Sequence, residues 1–177
     1  MDGHQSFIER ARKIKLVIFD VDGVFTDGRI YVDDNGIETK AFNVLDGQGI
    51  KLLQQTPIQV AVISGRYAPG VMIRMQKQLG IQHVFLGDTN KLPIYEELIK
   101  KLNLSDEEVA FVGDDLPDLP VLRRVGLPMG VPDAVPAVMK TVSFVTQNKG
   151  GKGAVREVCE ALMSAQGNWE KVLKKYL

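Results

Sequence analysis

The sequence predicts an α/β domain with a doubly wound, mostly parallel sheet. Three short apolar runs, Leu16–Phe19, 60–63 and 109–112, have the unbroken hydrophobicity of strands that are buried on both faces. Helical patterns of apolar residues lie between them along the chain. Polar residues and glycines follow each run at once, which places them at the carboxyl ends of the strands, the edge at which open α/β sheets bind ligands.

The composition is that of an ordinary globular chain. The 177 residues are 45% hydrophobic and 25% charged, and 22 basic side chains balance 22 acidic ones, so we expect one domain over residues 1–177. The charge balance predicts neither a nucleic acid nor an anionic membrane as a partner, and no apolar run is long enough for a membrane span. The single cysteine, Cys159, lies in a helical pattern, which predicts a buried thiol and a cytoplasmic protein.

The remaining elements follow from local patterns. Asn35 and Gly36 between two strand-like runs predict a β-hairpin inserted at about 29–42, too small to be a cap domain. Residues 43–49 are predicted as a loop that either contacts substrate or only caps the following helix with an aspartate, and that helix is expected from Ile50 until before Pro57. Further helices are expected at 1–14, 71–79, 92–102 and 155–163. Short strands are expected at 84–86, 127–131 and 144–146, and a glycine-rich tail with a helix at about 147–177.

Two aspartates directly follow the first predicted strand. Asp20 and Asp22 are one residue apart, and Gly23 predicts a bend that leaves both on a loop. Two carboxylates so close together repel each other unless a cation or a proton lies between them. The alternative is a turn in which the aspartates only bind nearby backbone N–H groups.

A second acidic loop follows the run at 109–112. Asp114, Asp115 and Asp118 place three carboxylates within five residues. One of them is expected to cap a helix, because aspartate favours that position. The three together exceed what capping requires, and a divalent cation such as Mg²⁺ would compensate them together with Asp20.

Two further helix starts carry residues that suit a phosphate. Ser64, Gly65 and Arg66 follow the run at 60–63 and combine a hydroxyl, a permissive backbone and a guanidinium, although a Ser-Gly turn by itself is common. Lys91 lies in the first turn of a predicted helix, where a cation opposes the helix dipole unless an anion is near. A bound phosphate would be that anion.

Taken together, these residues predict phosphoryl transfer. Asp20 would attack phosphorus and form an aspartyl-phosphate, and Asp22 would protonate the leaving alcohol and then deprotonate the attacking water. Ser64 and Lys91 would hold the phosphoryl oxygens together with Mg²⁺. The chain has no G-x-x-x-x-G-K-[ST] loop, which argues against a P-loop nucleotide hydrolase or a kinase.

The same residues resemble the four motifs of the haloacid dehalogenase (HAD) superfamily of phosphatases. The first motif is F-D-x-D-G-V-x-T-D-G, and the others lie at Ser64, Lys91 and the loop with Asp114 and Asp118. The resemblance implies that Asp20 is the nucleophile and Asp22 the general acid/base. It also implies that one Mg²⁺ is bound by Asp20, Asp114 and the backbone carbonyl of Asp22.

Other segments resemble one family within this superfamily, the cap-less phosphatases of 3-deoxy-D-manno-octulosonate 8-phosphate (KDO 8-phosphate). The segments are K-A-F-N-V-x-D-G-x-G-I, I-S-G-R, G-D-D-L-x-D and G-G-x-G-A-V-R-E-V. The resemblance implies a phosphorylated sugar acid as substrate and a homotetramer assembled through the hairpins, in which residues 149–153 reach a neighbouring active site. The residues implied to contact the substrate are Asp22, Asn43, Val44, Leu45, Asp46, Gly47, Lys51, Arg66, Arg74 and Lys91.

Several alternatives stay open at the level of sequence. Phosphatases of related nonulosonic acid phosphates share the four motifs. A non-catalytic binding protein of this fold would have no use for the Asp22 carboxylate, and a mutase or phosphotransferase would need better exclusion of water than a hairpin provides. By their residues alone, 147–153 form a simple tether and Arg74 is a solvated charge.

Overall fold

The computed structural model describes residues 2–177, with side chains from residue 6 onward. The strands of this part of the chain are β1 (Leu16–Phe19), β2 (Tyr31–Val32), β3 (Glu38–Thr39), β4 (Gln59–Ser64), β5 (His83–Leu86), β6 (Val109–Gly113), β7 (Leu127–Gly130) and β8 (Phe144–Val145). The α-helices are α1 (Asp2–Ala11), α2 (Val44–Leu53), α3 (Pro69–Met72), α4 (Lys91–Leu102), α5 (Leu119–Leu122), α6 (Pro136–Met139), α7 (Ala154–Ala165) and α8 (Trp169–Leu173).

Six strands form one parallel sheet in the order β5-β4-β1-β6-β7-β8. The central strand β1 pairs with β4 on one side and β6 on the other, so that Phe19 lies opposite both Val62 and Val112. The strand order reverses at this point, which creates a crevice at the carboxyl ends of the three strands. The predicted doubly wound parallel sheet is confirmed, and the residues that follow β1, β4 and β6 converge.

Helices cover both faces of the sheet, as the hydrophobicity of β1 requires. Val17 and Phe19 belong to a core shared with α1, α2, α3, α7 and α8, whereas Leu16 and Ile18 face α4, α5 and α6. All four side chains of β1 are fully buried. Successive side chains of a strand point to opposite faces, so a short run buried on both faces must be apolar throughout. No helix among the described residues is long and apolar enough to span a membrane.

A small antiparallel hairpin, β2–β3, follows β1 within the predicted insertion. Its strands are shorter than the sequence suggests, two residues each. The turn is closed by the Asp33 carboxylate, which accepts hydrogen bonds from the N–H groups of Asn35 and Ile37, while Gly36 has φ of 76°. No cap domain is present in the described part of the chain. The hairpin also carries exposed apolar side chains, namely Ile30, Tyr31, Val32 and Ile37.

The prediction of a loop at 43–49 is wrong. Helix α2 begins at Val44, with Asn43 as its N-cap. The glycines that suggested a loop instead permit close packing. A Cβ on Gly49 would lie 2.9 Å from Cα of Arg156 in α7, and a Cβ on Gly47 would lie 2.4 Å from the Arg74 guanidinium. Tertiary packing therefore outweighs the low helix propensity of glycine here.

The helix predicted at 71–79 also differs in its form. It begins as α3 and continues as a π-helix over Ile73–Gln78, in which the Leu79 N–H bonds the Arg74 carbonyl five residues earlier. Met75 and Leu79 are buried in the core, so the apolar spacing identified the correct face. Such spacing does not distinguish an α-turn from a π-turn, and π-turns often occur at functional sites.

Candidate active site

The carboxyl ends of β1, β4 and β6 surround a cavity of about 250 Å³. Ser64 is the last residue of β4 and is 2% exposed, and Asp20 directly follows β1. The structure therefore brings the predicted residues together at one edge of the sheet. The residues that line the cavity are Asp20, Asp22, Gly28, Ser64, Gly65, Arg66, Thr89, Lys91, Asp114, Asp115, Pro117 and Asp118.

Lys91 forms the electrostatic centre of the cavity. Its ammonium lies 2.9 Å from Oδ1 of Asp20 and 2.6 Å from Oδ1 of Asp118, and its side chain is 2% exposed. Burial disfavours the charged ammonium, but the two carboxylates outweigh it and raise the pKa of Lys91. Lys91 is the first residue of α4, so the prediction of a cation in the first turn of this helix is confirmed. Its ammonium lies at the carboxyl ends of the strands, beside Asp20 and Asp118.

Asp114 gives this site its capacity for a metal ion. Its Oδ1 is buried without a hydrogen-bond partner among the described residues. Burial, with the negative charges of Asp20, Asp118 and Asp115, raises the pKa of Asp114 to about 8. Burial likewise raises the pKa of Asp20 to about 6, although Lys91 opposes this. Carboxylate oxygens of Asp20, Asp114 and Asp118 lie within 4.8 Å of one another, and a hard divalent cation would relieve their repulsion.

Asp118 holds Lys91 and the backbone of Asp114 in place, whereas the Asp115 side chain caps the next turn. One oxygen of Asp118 binds Lys91, and the other accepts hydrogen bonds from the N–H groups of Asp114 (2.9 Å) and Asp115 (3.2 Å). Asp115 instead caps the short 3₁₀ turn after it by accepting from the Leu116 N–H. The prediction that one of the three aspartates is a cap is confirmed. A Cβ on Gly113 would lie 2.6 Å from the Asp118 carboxyl carbon, so this glycine makes room for Asp118.

Gly23 is essential to the shape of the first acidic loop. It has φ of 84°, and a Cβ there would lie 2.0 Å from Oδ2 of Asp114. Thr26 closes the loop, because its hydroxyl accepts hydrogen bonds from the N–H groups of Gly23 and Gly28. The predicted bend at Gly23 is confirmed, and it lets the loops after β1 and β6 approach each other closely.

Asp22 faces cations rather than the other aspartates. Its Oδ1 contacts the Lys40 ammonium and its Oδ2 lies 4.0 Å from Nε of Arg66, which also pairs with Glu38 on β3. The Asp22 carboxylate is thus outside the group formed by Asp20, Asp114 and Asp118. The atom by which Asp22 could bind a metal is therefore its backbone carbonyl oxygen, which is also the atom that the family resemblance implies. Sequence reasoning missed Lys40, whose only signal was its place in the K-A-F-N-V segment.

Two residues of the predicted substrate loop make contacts that stabilise the fold. Asn43 caps α2 by accepting from the Leu45 N–H, and its amide donates to the Gly151 carbonyl. Asp46 is 1% exposed, and its Oδ1 accepts from the Arg156 N–H, 2.9 Å away, in the first turn of α7. The carboxylate therefore stabilises the positive end of that helix, and a direct contact of Asp46 with substrate stays a prediction. Burial raises the pKa of Asp46, although the backbone N–H groups at the start of α7, such as that of Arg156, act in the opposite direction.

The other predicted substrate residues lie outside the cavity. Val44 and Leu45 are exposed, and Gly47 packs on Arg74, which lines a separate groove of about 740 Å³ between the hairpin and the π-helix. Lys51 is exposed near the C-terminal end of α2, and since α2 leads into the start of β4, that end lies at the opposite edge of the sheet. Within one chain, the predicted contacts that reach the cavity are those of Asp22, Arg66 and Lys91.

The glycine-rich segment 147–153 is neither a loose tether nor directed away from its own chain. The Glu157 carboxylate accepts from the N–H groups of Gln147 and Asn148, which fixes the start of the segment. A Cβ on Gly150 would lie 1.7 Å from the Gly23 carbonyl oxygen, and the Gly151 N–H bonds the Val24 carbonyl. The glycines of this segment therefore pack against the acidic loop of the same chain, and a contact of residues 149–153 with a neighbouring active site stays a prediction.

Comparisons with known proteins agree with this geometry. The profile of the haloacid dehalogenase-like hydrolases matches residues 35–126. The chain is 48% identical over 164 residues to 3-deoxy-D-manno-octulosonate 8-phosphate phosphatase KdsC of Escherichia coli (strain K12), covering 93% of this chain and 87% of that protein.

Solved structures of similar proteins agree as well. The crystal structure of 3-deoxy-D-manno-octulosonate 8-phosphate phosphatase from Moraxella catarrhalis, in complex with a magnesium ion, a phosphate ion and a KDO molecule, has a TM-score of 0.95 and 39% identity, covering 98% of this chain and 99% of that one. The corresponding enzyme from Yersinia pestis has a TM-score of 0.90 and 47% identity, covering 93% of this chain and 89% of that one. The chain therefore belongs to the haloacid dehalogenase-like hydrolases, in the family of the 3-deoxy-D-manno-octulosonate 8-phosphate phosphatases.

Proposed function

We propose that this protein is a Mg²⁺-dependent phosphatase that hydrolyses KDO 8-phosphate to KDO, a lipopolysaccharide precursor, and inorganic phosphate. The observation that supports the proposal most is the cavity in which Asp20, Lys91 and Asp114 meet, in a chain that is 48% identical to the E. coli phosphatase. The cavity of about 250 Å³ is small, which suits a phosphoryl group with the rest of the substrate extending outward.

In the first step, Asp20 attacks phosphorus. A carboxylate oxygen of Asp20 forms a bond to phosphorus while the bond to the sugar oxygen breaks, and that oxygen takes a proton from Asp22. Lys91, 2.9 Å from Asp20, offsets the negative charge that builds up when an anion approaches a phosphate. Ser64, at the end of β4, donates a hydrogen bond to a phosphoryl oxygen.

In the second step, water replaces the enzyme on phosphorus. Asp22, now a carboxylate, takes a proton from the water as the water oxygen bonds to phosphorus and the Asp20–phosphorus bond breaks. Asp20 is released as a carboxylate and Asp22 regains its proton, so both groups return to their starting states. Because no cap covers the site in the described residues, water has access for this step, which favours hydrolysis over transfer to another acceptor.

The residues present fit one Mg²⁺. Asp20, Asp114 and the backbone carbonyl of Asp22 would bind it, and Asp118 would hold Asp114 and Lys91 in place. When bound, the ion supplies a Lewis acid that neutralises phosphoryl charge. The unpartnered Oδ1 of Asp114, in a carboxyl whose pKa burial raises to about 8, is the observation that supports this fit.

The substrate assignment has a direct kinetic test. Among phosphorylated sugars and sugar acids assayed with Mg²⁺, KDO 8-phosphate is expected to give the highest kcat/KM, measured by phosphate release. Other nonulosonic acid phosphates serve as the matched comparison, because they differ in the sugar and share the phosphate. A clear preference for a hexose phosphate or a nucleotide would refute the assignment of substrate and leave the reaction type unaffected.

We also propose that the protein is a homotetramer assembled through the hairpins. The exposed side chains of Tyr31, Val32 and Ile37 support an interface, because they present apolar surface on a two-stranded element. Since the backbone of segment 147–153 is packed on its own chain, the contact proposed with a neighbouring active site is limited to exposed side chains such as that of Lys152.

The expected mass of the protein by light scattering is that of a tetramer, and a Val32→Glu substitution is expected to lower it.

Substitution of Lys152 by alanine is expected to raise KM. Deletion of the tail after Gln147 is not a suitable test, because α7 contributes fully buried core residues. A monomer with full activity would contradict the proposal.

A further inference from the structure

We propose that Lys40 is a positioning residue for Asp22, so that the hairpin insertion forms part of the catalytic apparatus. The inference rests on the proposed role of Asp22 as the general acid/base. In this inference, the Lys40 ammonium keeps the Asp22 carboxyl group at the position from which it reaches the leaving oxygen.

The burial of Lys40 is the first observation. Its side chain is 4% exposed and its ammonium contacts Oδ1 of Asp22. A buried ammonium is unfavourable unless it is paired and hydrogen-bonded. Within the described part of the chain, Asp22 is its ion-pair partner. At such a buried position an apolar side chain would ordinarily stabilise the fold more than a cation does. The buried Lys40 ammonium instead contacts the side chain of the proposed acid/base, Asp22.

The second observation is that Asp22 needs to be held. It lies two residues after Asp20 and beside Gly23, against which the Asp114 carboxylate packs. Asp22 lies outside the group formed by Asp20, Asp114 and Asp118, and its side chain is 22% exposed, so its carboxyl group could turn toward water. The ion pair with Lys40 opposes that rotation.

Lys40 and Arg66 do not contribute equally to that attraction. Arg66 lies 4.0 Å from Oδ2 of Asp22 and its side chain is 49% exposed, whereas Lys40 is in direct contact and buried. Solvent screens an exposed pair strongly and a buried pair much less. Lys40 is therefore the stronger constraint, and Arg66 remains free to exchange its partners when an anionic substrate binds.

The hairpin connects these charges. Glu38 on β3 pairs with Arg66, and Lys40 follows two residues later, so on extended backbone both point to the same side. Charges alternate along the row Lys40, Asp22, Arg66 and Glu38. The hairpin thus supplies one cation to the acid/base and one anion to the neighbouring arginine.

The test compares two leaving groups. An alkyl alcohol needs a proton as it leaves, whereas p-nitrophenolate leaves without one, so kcat/KM for p-nitrophenyl phosphate is insensitive to the place of the acid. Lys40→Met keeps the length of the side chain and removes the charge. It is expected to lower kcat/KM for the sugar phosphate by about 100-fold, the scale of a misplaced catalytic group. The expected loss for p-nitrophenyl phosphate is less than about threefold.

Three further variants separate positioning from other roles. Lys40→Arg retains a cation and is expected to recover most of the activity. Lys101→Met makes the same change at an exposed site on α4 and is expected to behave as wild type. In the Asp22→Asn background, Lys40→Met is expected to cause no further loss, because two residues that act through one group are not additive. Circular dichroism and thermal melting check that each variant folds.

The possible outcomes distinguish the inference from the function on which it rests. Equal losses on both substrates, or a Lys40→Met loss that adds to that of Asp22→Asn, would overturn the positioning role. If Asp22→Asn retains wild-type activity on the sugar phosphate, the acid/base assignment itself fails. If Asp22→Asn is impaired and Lys40→Met is not, the assignment of Asp22 stands and the inference about Lys40 is wrong.

Discussion

Replacement of Asp20 by asparagine is expected to abolish turnover and leave the fold intact. An amide cannot become the nucleophile that bonds to phosphorus, so kcat should fall on the order of 10⁴-fold or more, as measured by phosphate release. The fold should survive because asparagine has the same shape and Lys91 keeps Asp118 as an anionic partner 2.6 Å away. Thermal melting with and without phosphate is the measurement of folding.

Asp34→Asn is the matched control for this variant. It makes the same chemical change on the exposed turn of the hairpin, outside the cavity. We expect it to retain wild-type activity. A folded Asp20→Asn protein with near-normal turnover would rule out the aspartyl-phosphate mechanism, whatever the substrate.

Removal of the metal is expected to have a similarly large effect. Chelation by EDTA should stop hydrolysis, and added Mg²⁺ should restore it, because the cation would offset the negative charge that the Asp20 carboxylate and the phosphate dianion bring together. Asp114→Asn should weaken Mg²⁺ binding strongly, as measured by calorimetry. Asp115→Asn should change it much less, since Asp115 serves as a cap and asparagine caps equally well.

The pH dependence of Mg²⁺ binding follows from the raised pKa values. In the metal-free protein, burial raises the pKa of Asp114 to about 8, so this carboxyl is mostly protonated at neutral pH. The cation must displace that proton, so Mg²⁺ affinity should rise with pH up to about 8, with release of protons on binding. Full activity in metal-free protein, or an affinity that falls over this range, would contradict the metal site.

The parts of the fold predicted from the sequence are those with local signals. The apolar run of β1 predicts a strand buried on both faces, and position alone places Asp20 and Asp114 at the carboxyl ends of β1 and β6. Lys91 was predicted as a site residue because a cation in the first turn of a helix is unfavourable without an anion. These inferences hold because a strand and the loop after it are set by neighbouring residues.

The parts that could not be predicted depend on contacts between distant residues. Asp46 bonds the N–H of a residue 110 positions away, which nothing near Asp46 in the sequence reveals. Gly47 and Gly49 suggest a loop by their propensity, but they lie in a helix because another helix and Arg74 pack against them. The contact of Lys40 with Asp22 likewise forms only when the hairpin folds back onto the loop after β1, so the residues next to Lys40 in the sequence do not predict it.

The most direct test of the central claim is to trap the phosphorylated enzyme. In the Asp22→Asn variant the second step lacks its base, whereas p-nitrophenyl phosphate needs no acid in the first, so the aspartyl-phosphate should accumulate. Borohydride reduces an acyl-phosphate to an alcohol, and peptide mass spectrometry then locates it. Homoserine is expected at position 20, and it should be absent when Asp20 is also replaced by asparagine. Release of p-nitrophenol with Asp20 unmodified, or phosphate trapped on another side chain, would contradict it.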